Sequence, residues 1–167
     1  KQENTKTVQG TIIKAAAEIF GNDFIDLQGS GRTDSGVHAI CQIAHLDAKT
    51  MLAPEIIKMK LNDLLLHDIN MLEVEKAKKD FHARHDAKSR SYIYQISTRR
   101  TAFNKNLVWW IKDKLDFNKM ESASKLFLGM NNFASFSDDE PEEKSTKVLI
   151  DDIQMKSFFD LASSIVS

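Results

Sequence analysis

Gly29-Ser30-Gly31-Arg32-Thr33-Asp34-Ser35-Gly36-Val37-His38-Ala39 sets three glycines around one arginine and one aspartate in a run rich in small residues. Without a Cβ, Gly29, Gly31 and Gly36 relax the backbone and leave room above it, so a bulky planar group can approach the Asp34 carboxylate closely. The same composition also suits a plain turn between strands. The flanks agree with a strand, a loop and a strand: Phe24 to Gln28 alternates as a short strand running into the loop, and a second strand is expected from Val37 to about Leu46.

Working outward, Thr7 to Phe20 reads as an amphipathic helix, with Val8, Ile12, Ala16 and Ile19 or Phe20 on one face and Gly21 ending it. Pro54 is placed to open a second helix, and Ile56, Ile57, Met59, Leu61, Leu64 and Leu65 are expected on its buried side. A strand is expected at Ile69 to Lys76. Between Lys78 and Ser89 the apolar periodicity breaks, which predicts a connector. Ser89 to Ser97 then reads as a strand with Tyr92, Tyr94 and Ile96 on one face. Asp116 to Leu128 reads as a helix with Asp116 as N-cap, Gly129 as stop, and Phe117, Met120, Ala123, Leu126 and Phe127 turned inward. A last strand is expected over Lys147 to Met155, and Trp109 and Trp110, in the apolar run Leu107 to Ile111, are expected to be buried. This order predicts an α+β fold with helices packed on a largely antiparallel sheet.

Composition sets outer limits. A chain of 167 residues, 42% of them hydrophobic, can bury a core as one domain or two small ones. No apolar run approaches the roughly 20 residues that cross a bilayer, and no signal segment opens the chain, so the expectation is a cytoplasmic protein with no membrane contact. The single Cys41 excludes an internal disulfide framework and agrees with a reducing compartment.

Net charge is only −1, but its distribution is two-sided. From Lys76 to Lys105 nine Lys/Arg face only Asp80 and Asp86, while from Asp138 to Asp152 seven acids face Lys144 and Lys147. A basic stretch near the glycine loop fits phosphate contacts. Tyr92 and Tyr94 beside it offer stacking surfaces, which favours RNA. His38, Cys41 and His45 resemble a zinc spacing, yet on a strand residues 41 and 45 face one way and residue 38 the other, so no metal site is expected. The loop also lacks the Gly-Lys-Ser/Thr ending of a P-loop.

The loop resembles the active-site signature of the tRNA pseudouridine synthase A family, close to G-x-G-R-T-D-x-G-V-H-A. Phe81-His82-Ala83-Arg84 and Ser89-Arg90-Ser91-Tyr92-Ile93-Tyr94 resemble the family's F-H-A-R block and R-x-Y-x-Y strand. Weaker echoes are Thr7-Val8-Gln9-Gly10 and Asn132-Phe133-Ala134-Ser135-Phe136. Several blocks in family order carry far more weight than one glycine loop.

The resemblance implies a pseudouridine synthase fold: two related α/β halves, here 1–79 with the Asp34 loop and 80–167 with the Tyr92 strand, and a catalytic cleft at their junction. It implies isomerisation of uridine to pseudouridine in the anticodon stem-loop of tRNA, at tRNA positions 38 to 40, by a homodimer that needs no cofactor. Asp34 would be the essential ionised carboxylate, since a carboxylate is both an adequate nucleophile and an adequate leaving group. Attack on the base, attack on the sugar and removal of a ribose proton all stay open. Arg32, two residues before it, could pair with the carboxylate, a phosphate or a base edge. Tyr92 would stack on the flipped uracil. Arg84, Lys88, Arg90 and His82 are candidate RNA contacts, and a structural part at the connector between halves suits His82 and Arg84 equally well.

Departures from the pattern are two. The chain opens at Lys1 without the family's aromatic, glycine-rich first strand, and no late F-L-x-x-M-V-R block follows. The expectation is an incomplete stretch of an ordinary enzyme. The alternative is a degenerate RNA-binding module of the same family without catalysis, and a protein-interaction domain using the acidic 138–152 surface ranks third.

Overall fold

Thr7 starts the first helix because its side chain caps it: Oγ1 accepts the Gly10 N–H at 3.0 Å. In a computed structural model, which describes residues 6–21, 24–137 and 145–157, that helix is α1, Val8–Phe20, and it ends at Gly21 with φ +61°. Two compact units divide the chain: Lys1–Gln95 with Ala102–Trp109, and Ile96–Thr101 with Trp110–Ser167.

In the first unit, α1 is followed by β1 (Asp26–Gly29), β2 (Ala44–Asp47) and α2 (Pro54–Leu64). Pro54 opens α2 at its first turn, where a missing N–H costs nothing. Ala15 and Ala16 give α1 a flat face, so α2 approaches closely and seats Ile57, Leu61 and Leu65 in the core cluster. Each large side chain so buried contributes about 1.5–3 kcal/mol. Six apolar positions of α2 were expected inward, yet Ile56, Met59 and Leu64 are exposed. The buried stripe is the i, i+4, i+8 row alone, because one neighbouring helix covers only one narrow face.

β1 and β2 are antiparallel, with Asp26 opposite Asp47 and Gly29 opposite Ala44. The second strand is much shorter than the expected Val37 to Leu46, because β1 offers it only four residues to pair with. Ile69 to Lys76 forms no strand. There the Asn62 amide of α2 stands in for a ladder partner, donating to Met71 O at 3.0 Å and accepting Met71 N–H at 2.7 Å. Lys78 to Ser89 is an irregular connector, as the broken periodicity predicts.

In the second unit, Asp116 caps α3 (Phe117–Ser124) through Oδ1 on the Lys119 N–H at 3.0 Å, and a 3-10 turn carries the chain to Gly129 at φ +86°. No α3 residue is buried. Antiparallel β5 (Gly129–Asn132) and β6 (Lys147–Ile150) follow, and Phe127, Phe133 and Phe136 form an aromatic group with ring centroids about 6 Å apart. Between the expected strand at Ser89 to Ser97 and α3, only β3 (Ile96–Ser97) and β4 (Trp109–Trp110) pair, through Trp109 N to Gln95 O at 2.8 Å and Ile111 N to Ser97 O at 2.9 Å. Trp109 is 66% exposed and Trp110 39%, against the expected burial. The Arg100 guanidinium lies 4.6 Å from the Trp110 ring centroid, a cation–π contact that suits an exposed indole.

The fold is thus a mixed helix and sheet structure of α+β type, and among the described residues the strands form two-stranded sheets rather than one continuous sheet. Among the described residues no helix is long and apolar enough to cross a membrane. Of the acidic stretch, 138–144 lies outside the described residues.

Candidate active site

The glycine loop leaves β1 at Gly29 and returns to β2 at Ala44, and the two ends are paired. Ser30 N–H donating to Ile43 O at 2.8 Å carries the pairing one step into the loop. At its far side Val37 N–H bonds Asp34 O at 3.2 Å, and Gly36 has φ +84°. A left-handed residue at the third position of such a turn is the type II pattern, which glycine adopts without steric cost. Gly29 and Gly31 carry no such demand: an added Cβ would meet Gln42 Nε2 at 3.5 Å and Arg90 Nε at 3.8 Å, both ordinary contacts. The turn makes Asp34 its first residue, and Arg32, Thr33, Asp34 and Ser35 are all exposed. A carboxylate held there meets an incoming ligand without any side chain having to move away.

Two side chains brace the loop just before Arg32. Gln42 donates from Nε2 to Gly31 O at 2.8 Å and accepts the Ser30 hydroxyl on Oε1 at 3.2 Å. Arg90 donates from Nη2 to Ser30 O at 2.9 Å and to Arg84 O at 3.2 Å. The bond from Arg90 spans 60 residues of chain and ties the Arg84–Tyr92 stretch to the loop of Asp34. Tyr92 lies two residues beyond it, in the same compact unit as Asp34, and its ring is 75% exposed; Tyr94 is more exposed still.

The Phe81-His82-Ala83-Arg84 block docks on β2. Ala83, only 2% exposed, donates its N–H to His45 Nδ1 at 3.1 Å. His82 shapes the turn: its N–H bonds Asp86 Oδ2 at 2.7 Å, its carbonyl accepts Asp86 N–H at 2.9 Å, and its Nδ1 takes the N–H groups of Arg84 and His85 at 3.3 and 3.4 Å. The His82 ring sits 4.6 Å from His45 and 4.2 Å from His85, centroid to centroid. Arg84 and Lys88 remain exposed on this connector. Among the described residues no group of His, Cys, Asp and Glu has metal-site geometry.

Of the residues singled out in the sequence, Asp34, Arg32 and Tyr92 are exposed, Arg90 is engaged with two carbonyls, and His82 is engaged with its own turn. Gln42 was not singled out. Its only signal was a lone amide inside the run Ala39-Ile40-Cys41-Gln42-Ile43-Ala44.

A family model described as tRNA pseudouridine synthase matches residues 1–86. The tRNA pseudouridine synthase A of Thermodesulfovibrio yellowstonii is 37% identical over 139 residues, covering 82% of this chain and 54% of its own. That of Sinorhizobium medicae is 39% identical over 141 residues, with 81% and 57% covered. A protein of Clostridium tetani, tRNA pseudouridine synthase A 2, is 34% identical over 169 aligned residues, with 100% and 68% covered. The chain spans about half to two thirds of the length of these curated relatives.

Proposed function

The chain belongs to the tRNA pseudouridine synthase family, and from that premise we propose that it isomerises uridine to pseudouridine in tRNA, with Asp34 as the essential carboxylate. The observation that carries the reading is the Arg90 to Ser30 bond of 2.9 Å, which joins the loop of Asp34 to the stretch that bears Tyr92. Those are the two motifs the reaction needs in one place.

The isomerisation breaks the bond from N1 of uracil to C1′ of ribose and forms one from C5 to C1′. C5 gives up its proton and N1 ends protonated, so atoms and oxidation state balance. A carboxylate that adds and leaves, or that takes a proton, is sufficient for such a sequence, and the conversion itself calls for no redox partner. Asp34 stands at an exposed turn, which suits attack on a nucleotide turned out of its stack. The exposed ring of Tyr92 would stack on that uracil, and Arg32 would hold a phosphate or steady the carboxylate. Arg84 and Lys88 would contact the RNA backbone, with His82 and the remaining guanidinium nitrogens of Arg90 beside them.

Family membership supports the finer points of the same reading: uridines at tRNA positions 38 to 40 of the anticodon stem-loop as targets, two related halves at 1–79 and 80–167 with a cleft at their junction, a homodimer that holds tRNA across both subunits, and a cytoplasmic site of action. A non-catalytic RNA-binding module of the same family is the competing reading. Mapping pseudouridine in an unmodified tRNA transcript after incubation with wild type and Asp34→Asn separates the two. Modification at 38 to 40 by wild type alone, with tRNA binding kept by the variant, is the expected result. Binding without modification by wild type would establish the module instead.

A further inference from the structure

Four hydrogen bonds converge on the Ser30–Gly31 step: Ser30 N–H to Ile43 O, the Ser30 hydroxyl to Gln42 Oε1, Gln42 Nε2 to Gly31 O, and Arg90 Nη2 to Ser30 O. The two carbonyls belong to consecutive planar peptides, so fixing both oxygens fixes the direction in which the chain enters Arg32. On the other side, the turn closed by Val37 N–H on Asp34 O, with Gly36 at φ +84°, fixes the chain leaving Asp34. Only Arg32 and Thr33 lie between the two constraints.

Exposed bonds of this kind add little to global stability, since water replaces them at small net cost. Their effect is on geometry. Ser30, Gln42 and Arg90 come from three separate places in the chain, and Arg90 adds a bond to Arg84 O at 3.2 Å that anchors its guanidinium to the connector. From this arrangement we infer that Gln42 and Arg90 are positioning residues, gripping the Gly31 and Ser30 carbonyls from two sides and so setting where Asp34 stands relative to the bound uracil. The inference rests on the reading of Asp34 as the reactive carboxylate. It gives Arg90 a role apart from phosphate contact, and gives Gln42 a role in a site it does not itself touch.

The test uses the intact protein and a tRNA transcript. Gln42→Met keeps the length of the side chain and loses both bonds; Arg90→Lys keeps the positive charge and loses the planar fork. Each is expected to lower the single-turnover rate about 10- to 100-fold, as small misplacements of a reacting group do. Affinity for tRNA should stay within about twofold and the melting temperature within a few degrees. The double variant should fall little below the slower single one, because the entry into Arg32 is fixed only while both carbonyls are held, and loss of either grip already frees it. Amide hydrogen exchange over residues 30–36 should quicken in both variants.

Unchanged rates overturn the inference. So do losses that follow tRNA affinity, which return Arg90 to RNA contact alone, losses that follow melting temperature, and single effects that multiply in the double variant. An inactive wild type, or a fully active Asp34→Asn, instead defeats the reading of the reaction. In that case exchange decides whether the clamp exists: unchanged protection over 30–36 in both variants overturns it.

Discussion

Helices α1 and α3 obey the same local rules and meet different surroundings. Each begins at a side-chain cap of 3.0 Å, Thr7 on the Gly10 N–H and Asp116 on the Lys119 N–H; α1 then stops at the left-handed Gly21, while α3 passes through a 3-10 turn to the left-handed Gly129 that opens β5. Yet α1 buries Ala15 and Ala16 against Ile57, Leu61 and Leu65, whereas α3 buries nothing and Leu126 beyond it is 79% exposed. Caps are settled within one turn of chain, so they follow from sequence alone. Burial depends on what another element supplies, and an apolar stripe does not name its partner.

The contrast can be broken most sharply at Leu61, which is 3% exposed in the α1–α2 core. Leu61→Ala should cost about 2–5 kcal/mol in urea denaturation, by lost transfer energy and the cavity left behind. A loss under about 1 kcal/mol would mean that this core does not hold the first unit together. The caps should behave alike in spite of the unequal faces. Thr7→Ala and Asp116→Ala should each cost about 1 kcal/mol, read as lost helix signal on melting; a silent Thr7→Ala beside a costly Asp116→Ala would reverse the picture. Smallest of all, Leu126→Ala should change stability by no more than about 0.5 kcal/mol. A core-sized penalty there would show that the residue is covered in solution.

The same distinction governs what the sequence disclosed. Helix starts at Thr7, Pro54 and Asp116 were legible, and so was the break in periodicity between Lys78 and Ser89, because each is written in adjacent residues. Strand lengths were not: β2 begins only at Ala44, opposite the last residue of β1, and Met71 is paired by the Asn62 amide rather than by a strand. Trp109 and Trp110 are exposed although their run is apolar, since hydrophobicity measures a tendency and not a neighbour. At the candidate site the loop of Asp34 was legible as a motif. Its brace was not, because bonds from Gln42 and Arg90 to the carbonyls of Gly31 and Ser30 join residues 11 and 60 positions apart and leave no period to read. Of the three glycines there, Gly36 alone has a positive φ.

Loss of the C5 proton of uridine gives the most direct measurement. With tRNA carrying tritium at C5 of its uridines, wild type should release label to water, and Asp34→Asn should bind the same tRNA with similar affinity and release none above background. Release by Asp34→Asn at the wild-type rate would contradict the assignment of Asp34 as the carboxylate on which the chemistry depends.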